Sequence, residues 1–438
     1  MHSQPKRMPP RQTHKLITRP IMSKTTPERL IIGPSHVVRL RHALATRQLP
    51  ELTLPSRLIG VGGLPIWSPR ITKELATATP ESEVFVIVGD FRFGNPVLND
   101  PTFTPDYPQP KEYLSIEKDL INETNDQRLF ALSLTALDAL KQQLNGRLRL
   151  LFWDLSIREY QNRSTGRYYQ ESGDYRHPVW NLDAVLAQFS DIAIDSRVML
   201  SHGEQLFIDS SAHPSLIGWL YINRYLRGAT TVDLSAVLQA FDQALTQLLA
   251  AVLTKEAVLI TGDSKFTRLL ALFVSNRQFL LPDNWQILPL SKAYEAQGFD
   301  RCLYFPGLCT FELDEAGIAE GIGKVKRISA RLTATHKQVS VLYYDNWAYE
   351  AISKRSGYQN KFVSRYDSGL TAQLEAVTCP PGQAYKITDS TDFEGMIELN
   401  ATLLPSVLGI VEILARSTRQ ISHEQVLAAY QDFLTACL

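Results

Sequence analysis

The chain has no long apolar run, no net charge and few cysteines, and each absence excludes a class of protein. No run approaches the roughly 18 apolar residues of a membrane-spanning helix, so we expect no membrane span. Its 45 basic and 45 acidic side chains cancel, which removes the electrostatic signature of a nucleic-acid-binding surface. The four cysteines lack the spacing of a metal site or a CxxC pair. Since they do not suggest a disulfide framework either, we expect a reducing, cytoplasmic compartment and no bound metal.

Length and the pattern of apolar runs indicate a tail followed by two α/β domains. Residues 1–28 are rich in Pro, Gln and Thr, and no apolar run follows their basic residues, so we expect a disordered tail rather than a secretory signal. Short apolar runs then alternate with helical patterns, which is typical of a parallel sheet covered on both faces. The predicted division is 29–231, a linking helix at 232–255, and 256–438. The last segment ends in a helix with Ser422 as its expected cap, and the sequence leaves open which domain this helix packs on.

One layout of residues appears twice along the chain. A single offset of 191 residues relates Asp154 to Asp345, His213 to Leu404, Pro214 to Pro405, Ser215 to Ser406, and Gly218 to Gly409. Ser35 corresponds to Ser264 at an offset of 229, so the first copy holds 229 − 191 = 38 additional residues between its serine and Asp154. A shared offset over separate segments predicts two domains of one fold, 29–231 being the first copy and 256–438 the second.

Only the first copy combines a candidate nucleophile with a candidate base. Ser35 lies where the first predicted strand meets the first predicted helix, and ligands of parallel sheets bind at this carboxyl end. The start of that helix supplies free N–H groups and a positive dipole. His213 follows a predicted short strand, and Asp209 is placed to orient its imidazole. A serine beside such a base attacks acyl carbons. His36, next to the serine, is expected to point into the layer between helix and sheet.

These residues, in this order, resemble the SGNH (GDSL-type) hydrolase superfamily. The resemblance rests on Ser35 in GPSH, on Gly62 and Gly63, on VGDFRFGN at the end of the third strand, and on Asp209 before His213-Pro214. It implies two flavodoxin-like three-layer α/β/α domains in tandem, with Ser35 as nucleophile and His213 as base. Asp209 lies four residues before His213, where the family has three. Either Asp209 completes a triad, or the site works as a Ser-His dyad.

The resemblance also implies an oxyanion hole, and the arginines and tyrosines of the insertion at 158–178 indicate either a substrate loop or a solvated insertion. The hole would use the backbone amide of the nucleophile, an amide from Gly62 or Gly63, and a side chain after the third strand, for which Asn95 and Arg92 are the candidates. An arginine there would suit an anionic substrate. As a substrate loop, the insertion would use aromatic rings for a sugar and guanidinium groups for phosphate or carboxylate. Its candidate residues are Arg158, Arg163, Arg167 and Tyr168.

The second copy is predicted to be catalytically dead. Ser264 lies in Gly-Asp-Ser, closer to the family motif than the first copy, but Leu404 replaces the base and Asn400 replaces Asp209. Without a base, a serine hydroxyl is a poor nucleophile at neutral pH.

Three functions stay open at this point. The first is an esterase or deacetylase, without a cofactor, that acts on an acylated glycan or small metabolite. The second is an intracellular O-acyltransferase with an acyl-CoA or carrier-bound donor. The third is a non-catalytic binding protein on a degenerate hydrolase scaffold. The oligomeric state is not predicted.

Overall fold

A computed structural model describes eleven segments of the chain, namely 28–60, 66–67, 69–88, 123–152, 159–161, 168–170, 182–194, 202–208, 213–307, 315–342 and 406–438. Within them the protein is α/β, with helices flanking parallel sheets. None of the described helices combines the length and the apolar character needed to cross a bilayer.

The first copy contains a parallel sheet. The strands of this copy are β1 (Arg29–Gly33), β2 (Ser56–Gly60), β3 (Glu83–Val88), β4 (Leu148–Phe152), β5 (Glu159–Gln161), β6 (Tyr168–Gln170) and β7 (Ala193–Ile194). Five of them form the parallel sheet in the order β2-β1-β3-β4-β7, and β5 pairs with β6 as a separate antiparallel hairpin. The apolar runs predicted β1 to β4. The hairpin and the two-residue β7 were not predicted, since neither has an apolar run long enough to mark a strand.

The helices of the first copy, together with the linking helix, are α1 (Ser35–Ala45), α2 (Pro69–Leu75), α3 (Glu123–Leu144), α4 (Leu182–Gln188), α5 (Gly203–Leu206), α6 (Leu216–Leu226) and α7 (Leu234–Val252). The sequence pattern placed α3 at 116–144, and residues 116–122 lie outside the described residues. The short strand expected before His213 is instead the four-residue helix α5 followed by a single bridge between Phe207 and Pro214.

The second copy contains a parallel sheet of the same strand order. Its strands are β8 (Val258–Gly262), β9 (Trp285–Ile287), β10 (Arg301–Phe305) and β11 (Val339–Val341). Their order across the sheet is β9-β8-β10-β11, which matches β2-β1-β3-β4 of the first sheet. Its helices are α8 (Lys265–Ser275), α9 (Leu290–Ala293), α10 (Glu315–Thr335), α11 (Val407–Thr418) and α12 (His423–Ala436).

Both faces of β1 are buried, as a central strand of a covered parallel sheet requires. Successive side chains of a strand point to opposite faces. Leu30 and Ile32 accordingly belong to one apolar cluster with Leu137 of α3, while Ile31 belongs to another with Leu220 of α6. The run of apolar residues in RLIIG therefore holds the start of α1 at a fixed position beside the sheet.

Local details repeat between the two copies. Ser215 caps α6 by accepting a hydrogen bond from the Gly218 amide at 3.1 Å, and Ser406 caps α11 in the same way from Gly409, also at 3.1 Å. These are pairs that the offset of 191 relates in the sequence. The capped starts of α6 and α11 are therefore equivalent in structure as well as in spacing.

One apolar cluster joins the two copies. It includes Ile31 of the first sheet, Ile260 of the second, and Phe241 and Phe433 of α7 and α12, whose rings are 5.7 Å apart and nearly perpendicular. The last helix begins with a capping box formed by Ser422 and Gln425. The sequence predicted Ser422 as the cap, and the part played by Gln425 was not predicted. This helix packs against α7 and also reaches the first copy, which answers the question that the sequence left open.

Candidate functional site

Ser35 is the first residue of α1, and only Pro34 separates it from the end of β1. Its side chain is partly exposed, whereas its neighbours on either side are buried. The start of a helix carries a positive dipole, which favours negative charge beside Ser35. This position at the carboxyl edge of the sheet is the one predicted from the sequence.

Backbone pairing between residues 206–208 and residues 213–215 holds His213 opposite this serine. The Ile208 amide donates to the His213 carbonyl at 2.9 Å, and the Ser215 amide donates to the Leu206 carbonyl at 2.7 Å. The Ser215 hydroxyl also donates to the Gln205 carbonyl at 2.6 Å. These bonds fix the backbone on both sides of the histidine before α6 begins.

The structure brings the two predicted residues together. The Ser35 Oγ lies 2.8 Å from the His213 Nε2, although 178 residues separate them in the chain. With the imidazole proton on Nδ1, the hydroxyl donates to Nε2, and the ring is in position to accept the serine proton. His213 is 9% exposed, so it is shielded while Ser35 remains accessible.

His36 borders the same imidazole from the protein interior. Its ring is buried and its centroid lies 5.2 Å from that of His213, with the two planes inclined by 36°. The predicted orientation into the layer between helix and sheet agrees with this burial. The sequence did not indicate that the ring would also pack beside the candidate base.

Gly60 lets β2 approach the helix that carries Ser35. A Cβ at this position would lie 2.4 Å from the Val38 backbone nitrogen and 2.8 Å from the Val37 carbonyl carbon. Neither is an atom that can move without shifting α1. The glycine therefore allows the close packing of strand and helix, a role the sequence alone did not identify.

Most of the other predicted site residues of the first copy are not among the described residues, so their placement stays a prediction. Those that lie outside the described residues are Asp209, Gly62, Gly63, Arg92, Asn95, Arg158, Arg163 and Arg167. Tyr168 begins β6 and pairs with Gln161 of β5, so its backbone belongs to the hairpin of the insertion.

The corresponding serine of the second copy has a structural role. Ser264 is fully buried, and its Oγ caps α8 by accepting from the Thr267 amide at 3.2 Å. Its Oγ also lies 3.2 Å from the Thr267 hydroxyl. The position of its predicted partner, Leu404, lies outside the described residues. A buried hydroxyl engaged at a helix start is not available to a substrate.

A carboxylate also accepts a hydrogen bond from a backbone amide beside Ser264 in the second copy. Asp263 precedes Ser264, and its Oδ1 accepts from the Gly307 amide at 2.7 Å while its Oδ2 lies 3.3 Å from the Lys324 Nζ. The strand registers make Gly307, two residues after β10, the counterpart of Gly89 after β3. In the first copy Pro34 takes the position of Asp263 and has no carboxylate to place there.

The described thiols are not alternative nucleophiles. Cys302 and Cys437 are buried, and burial raises the pKa of each to about 12. A thiol with such a pKa is almost entirely protonated at neutral pH, and the thiolate is the reactive form. Among the described side chains, no three His, Cys, Asp or Glu residues converge in a way that would hold a metal ion.

Comparison with known proteins gives no independent assignment, since no family model matches the chain and no curated protein matches it.

Proposed function

We propose that the protein is a serine-dependent acyl-ester enzyme of the SGNH type, and specifically an esterase or deacetylase. The observation that carries the proposal is the 2.8 Å contact between the Ser35 Oγ and the His213 Nε2 at the carboxyl edge of the first sheet. A nucleophile within hydrogen-bonding distance of a base is the arrangement that covalent acyl transfer needs.

The proposal includes two flavodoxin-like domains, of which the second is degenerate. Its support is the strand order β2-β1-β3-β4-β7, which is the doubly wound order 2-1-3-4-5 with β7 as the fifth strand. In the second sheet β9-β8-β10-β11 repeats the first four positions of that order. The capped, buried Ser264 supports a second copy without catalysis of its own.

The proposed reaction has two stages, which are formation of an acyl-enzyme on Ser35 and its hydrolysis. The Ser35 Oγ attacks the ester carbonyl carbon while the His213 Nε2 takes the hydroxyl proton, which gives a tetrahedral oxyanion near the first amides of α1. The C–O bond to the alcohol then breaks, and His213 returns the proton to the leaving alcohol. Water adds to the acyl-enzyme, with His213 again accepting a proton, and the carboxylic acid leaves as Ser35 recovers its hydrogen.

Ester turnover with matched variants tests this proposal. We expect the parent protein to hydrolyse an activated aryl acetate, and Ser35→Ala or His213→Ala to lower the rate by at least about 1,000-fold. Ser264→Ala is the matched control and should keep the parent rate. Intact mass spectrometry of the rapidly quenched reaction should show one acetyl group per chain.

Two results would redirect the proposal. Unchanged turnover after Ser35→Ala would contradict it, and a parent protein that gives no turnover above the uncatalysed rate would favour the binding-protein hypothesis. An acyl-enzyme that forms but reacts faster with an added sugar hydroxyl than with water would keep Ser35 as the nucleophile and move the enzyme to the O-acyltransferases.

A further inference from the structure

A glutamine of the second copy reaches into the backbone that leads to His213. Gln278 follows α8, and its side chain is 3% exposed. Its Nε2 donates to the Glu204 carbonyl at 2.5 Å and to the Phe207 carbonyl at 2.6 Å. Both hydrogens of the amide are thus directed to the first copy.

The two carbonyls lie at the short helix α5 and at the residue that follows it. Carbonyls in the last turn of a helix have no partner within the helix, and buried ones need a donor from elsewhere. Gln278 supplies that donor to both. The segment they belong to pairs directly with the histidine, since the Ile208 amide donates to the His213 carbonyl and Phe207 bridges Pro214.

Apolar side chains of the second copy also lie beside residues 207 and 208. Phe273 of α8 and Tyr430 of α12 line a small cavity together with Ile208, Pro214 and Gln278. Side chains of the second copy therefore lie along one side of the segment that pairs with His213, and the glutamine contributes hydrogen-bond donors there.

The equivalent glutamine of the first copy has a described side-chain bond within its own turn. Gln48 follows α1 after Arg47, whose φ is 57°, as Gln278 follows α8 after Arg277, whose φ is 55°. The backbone amide of each bonds to the last turn of its helix at 2.8 Å. The Gln48 Nε2, however, donates to the nearby Thr46 hydroxyl at 2.9 Å. The same turn therefore carries the same residue type, with one described side-chain bond within its own turn in the first copy and two to the other copy in the second.

We propose that Gln278 is a positioning residue for His213, and that the second copy thereby completes the active site of the first. This rests on the proposed function, because the residue that it positions is the base. The glutamine acts through the backbone of residues 204–208, which pairs with His213, and it does not contact the serine. The second copy then has a function although its own serine is buried.

Gln278→Met tests the proposal because it keeps the volume of the side chain and removes both donors. Gln48→Met is the matched control, since Gln48 is equally buried at the equivalent turn. In the full-length chain we expect Gln278→Met to lower the rate at which a fluorophosphonate labels Ser35 by about 10- to 100-fold, the loss typical of a small displacement of a catalytic group. Gln48→Met should stay within about twofold of the parent. Both variants are measured at a temperature where their melting curves show that they are folded.

The imidazole signals of His213 give a second readout that a purely structural role would not move. We expect Gln278→Met to shift these signals and their pH titration in histidine-selective NMR, while those of His336 in the second copy remain in place. Gln48→Met should leave both sets unchanged. Unaltered His213 signals in Gln278→Met, or equal losses of labelling in the two variants, would overturn the proposal. If the parent itself is not labelled at Ser35, the proposed function fails, and the NMR comparison still decides the positioning role.

Discussion

The hydroxyl of Tyr430 donates a hydrogen bond to the carbonyl of Gln48 at 3.1 Å, across 382 residues of sequence. Gln48 lies in the turn that ends α1, and Ser35 is the first residue of that helix. The last helix of the chain therefore supports the far end of the helix that presents the candidate nucleophile. Gln431 adds a second bond there, from its Nε2 to the Arg47 carbonyl at 2.8 Å.

Removal of the Tyr430 hydroxyl should destabilise the whole chain. We expect Tyr430→Phe to lower the free energy of unfolding by about 0.5–1.5 kcal/mol, since it takes a buried donor from the Gln48 carbonyl. Because one apolar cluster joins the two copies, the loss should appear in a single urea transition. Tyr294→Phe, which keeps its ring 3.9 Å from the Arg331 guanidinium carbon, is the control with a smaller expected loss. Equal losses, or two separate transitions, would contradict this picture of the interface.

Ser264 should affect stability and leave the activity unchanged. Loss of a serine helix cap typically costs about 1 kcal/mol, and we expect Ser264→Ala to lower the unfolding free energy by that amount. Ser406→Ala, which removes the cap of α11, should have an effect of similar size. Urea denaturation and ester turnover, measured on the same samples, check both expectations. A large loss of turnover in Ser264→Ala would show that the second copy takes part in the chemistry directly.

Gly60 should be needed for the correct placement of Ser35. In Gly60→Ala the new methyl group would meet the backbone of Val37 and Val38, so α1 has to shift. We expect a loss of about 1–3 kcal/mol in unfolding free energy and slower labelling of Ser35. Gly323→Ala on α10 is the control, because a Cβ there would only meet the end of the Arg327 side chain at 3.4 Å. Parent-like labelling in a folded Gly60→Ala would contradict the proposed close packing.

Glu412 should make stability depend on pH. Its carboxyl is fully buried on α11, and burial raises its pKa from 4.5, against the opposing effects of His423 and Arg416. The folded state then holds this proton more tightly than the unfolded state. Its contribution to stability therefore falls as pH rises from 4.5 through the folded-state pKa.

The variant Glu412→Gln removes that dependence. The difference in unfolding free energy between the variant and the parent should shift in favour of the variant as pH increases. Glu424→Gln should shift the opposite way, since hydrogen bonds from its own backbone amide and Ser422 lower the pKa of Glu424. Urea denaturation at several pH values checks both signs, and parallel curves for Glu412→Gln and the parent would contradict the account.

Local patterns in the sequence were sufficient for much of the fold. Continuous apolar runs predicted β1, β3 and β8, because a strand that is buried on both faces is apolar along nearly its whole length. The cap at Ser422 was predicted from its position before an amphipathic run. The failures are short elements. A two-residue strand such as β7 and a four-residue helix such as α5 have no periodicity to detect, so their formation depends on the packing around them.

The candidate site was predictable only in the part that the repeated layout reveals. Ser35 and His213 were singled out by their order and by the missing base at position 404, and they lie in contact. Gln278 could not be found in this way, because a glutamine after a helix is ordinary and its partners are carbonyls about 70 residues away in the sequence. The packing of His36 beside His213 depends likewise on the tertiary fold. Contacts between distant segments leave no local signal in the sequence.

The most direct test of the account is to treat the full-length protein with a fluorophosphonate and map the adduct by peptide mass spectrometry. We expect one adduct per chain, on Ser35, which is lost in His213→Ala and retained in Ser264→Ala. An adduct on Ser264, or an adduct on Ser35 that forms as fast without His213, would contradict it.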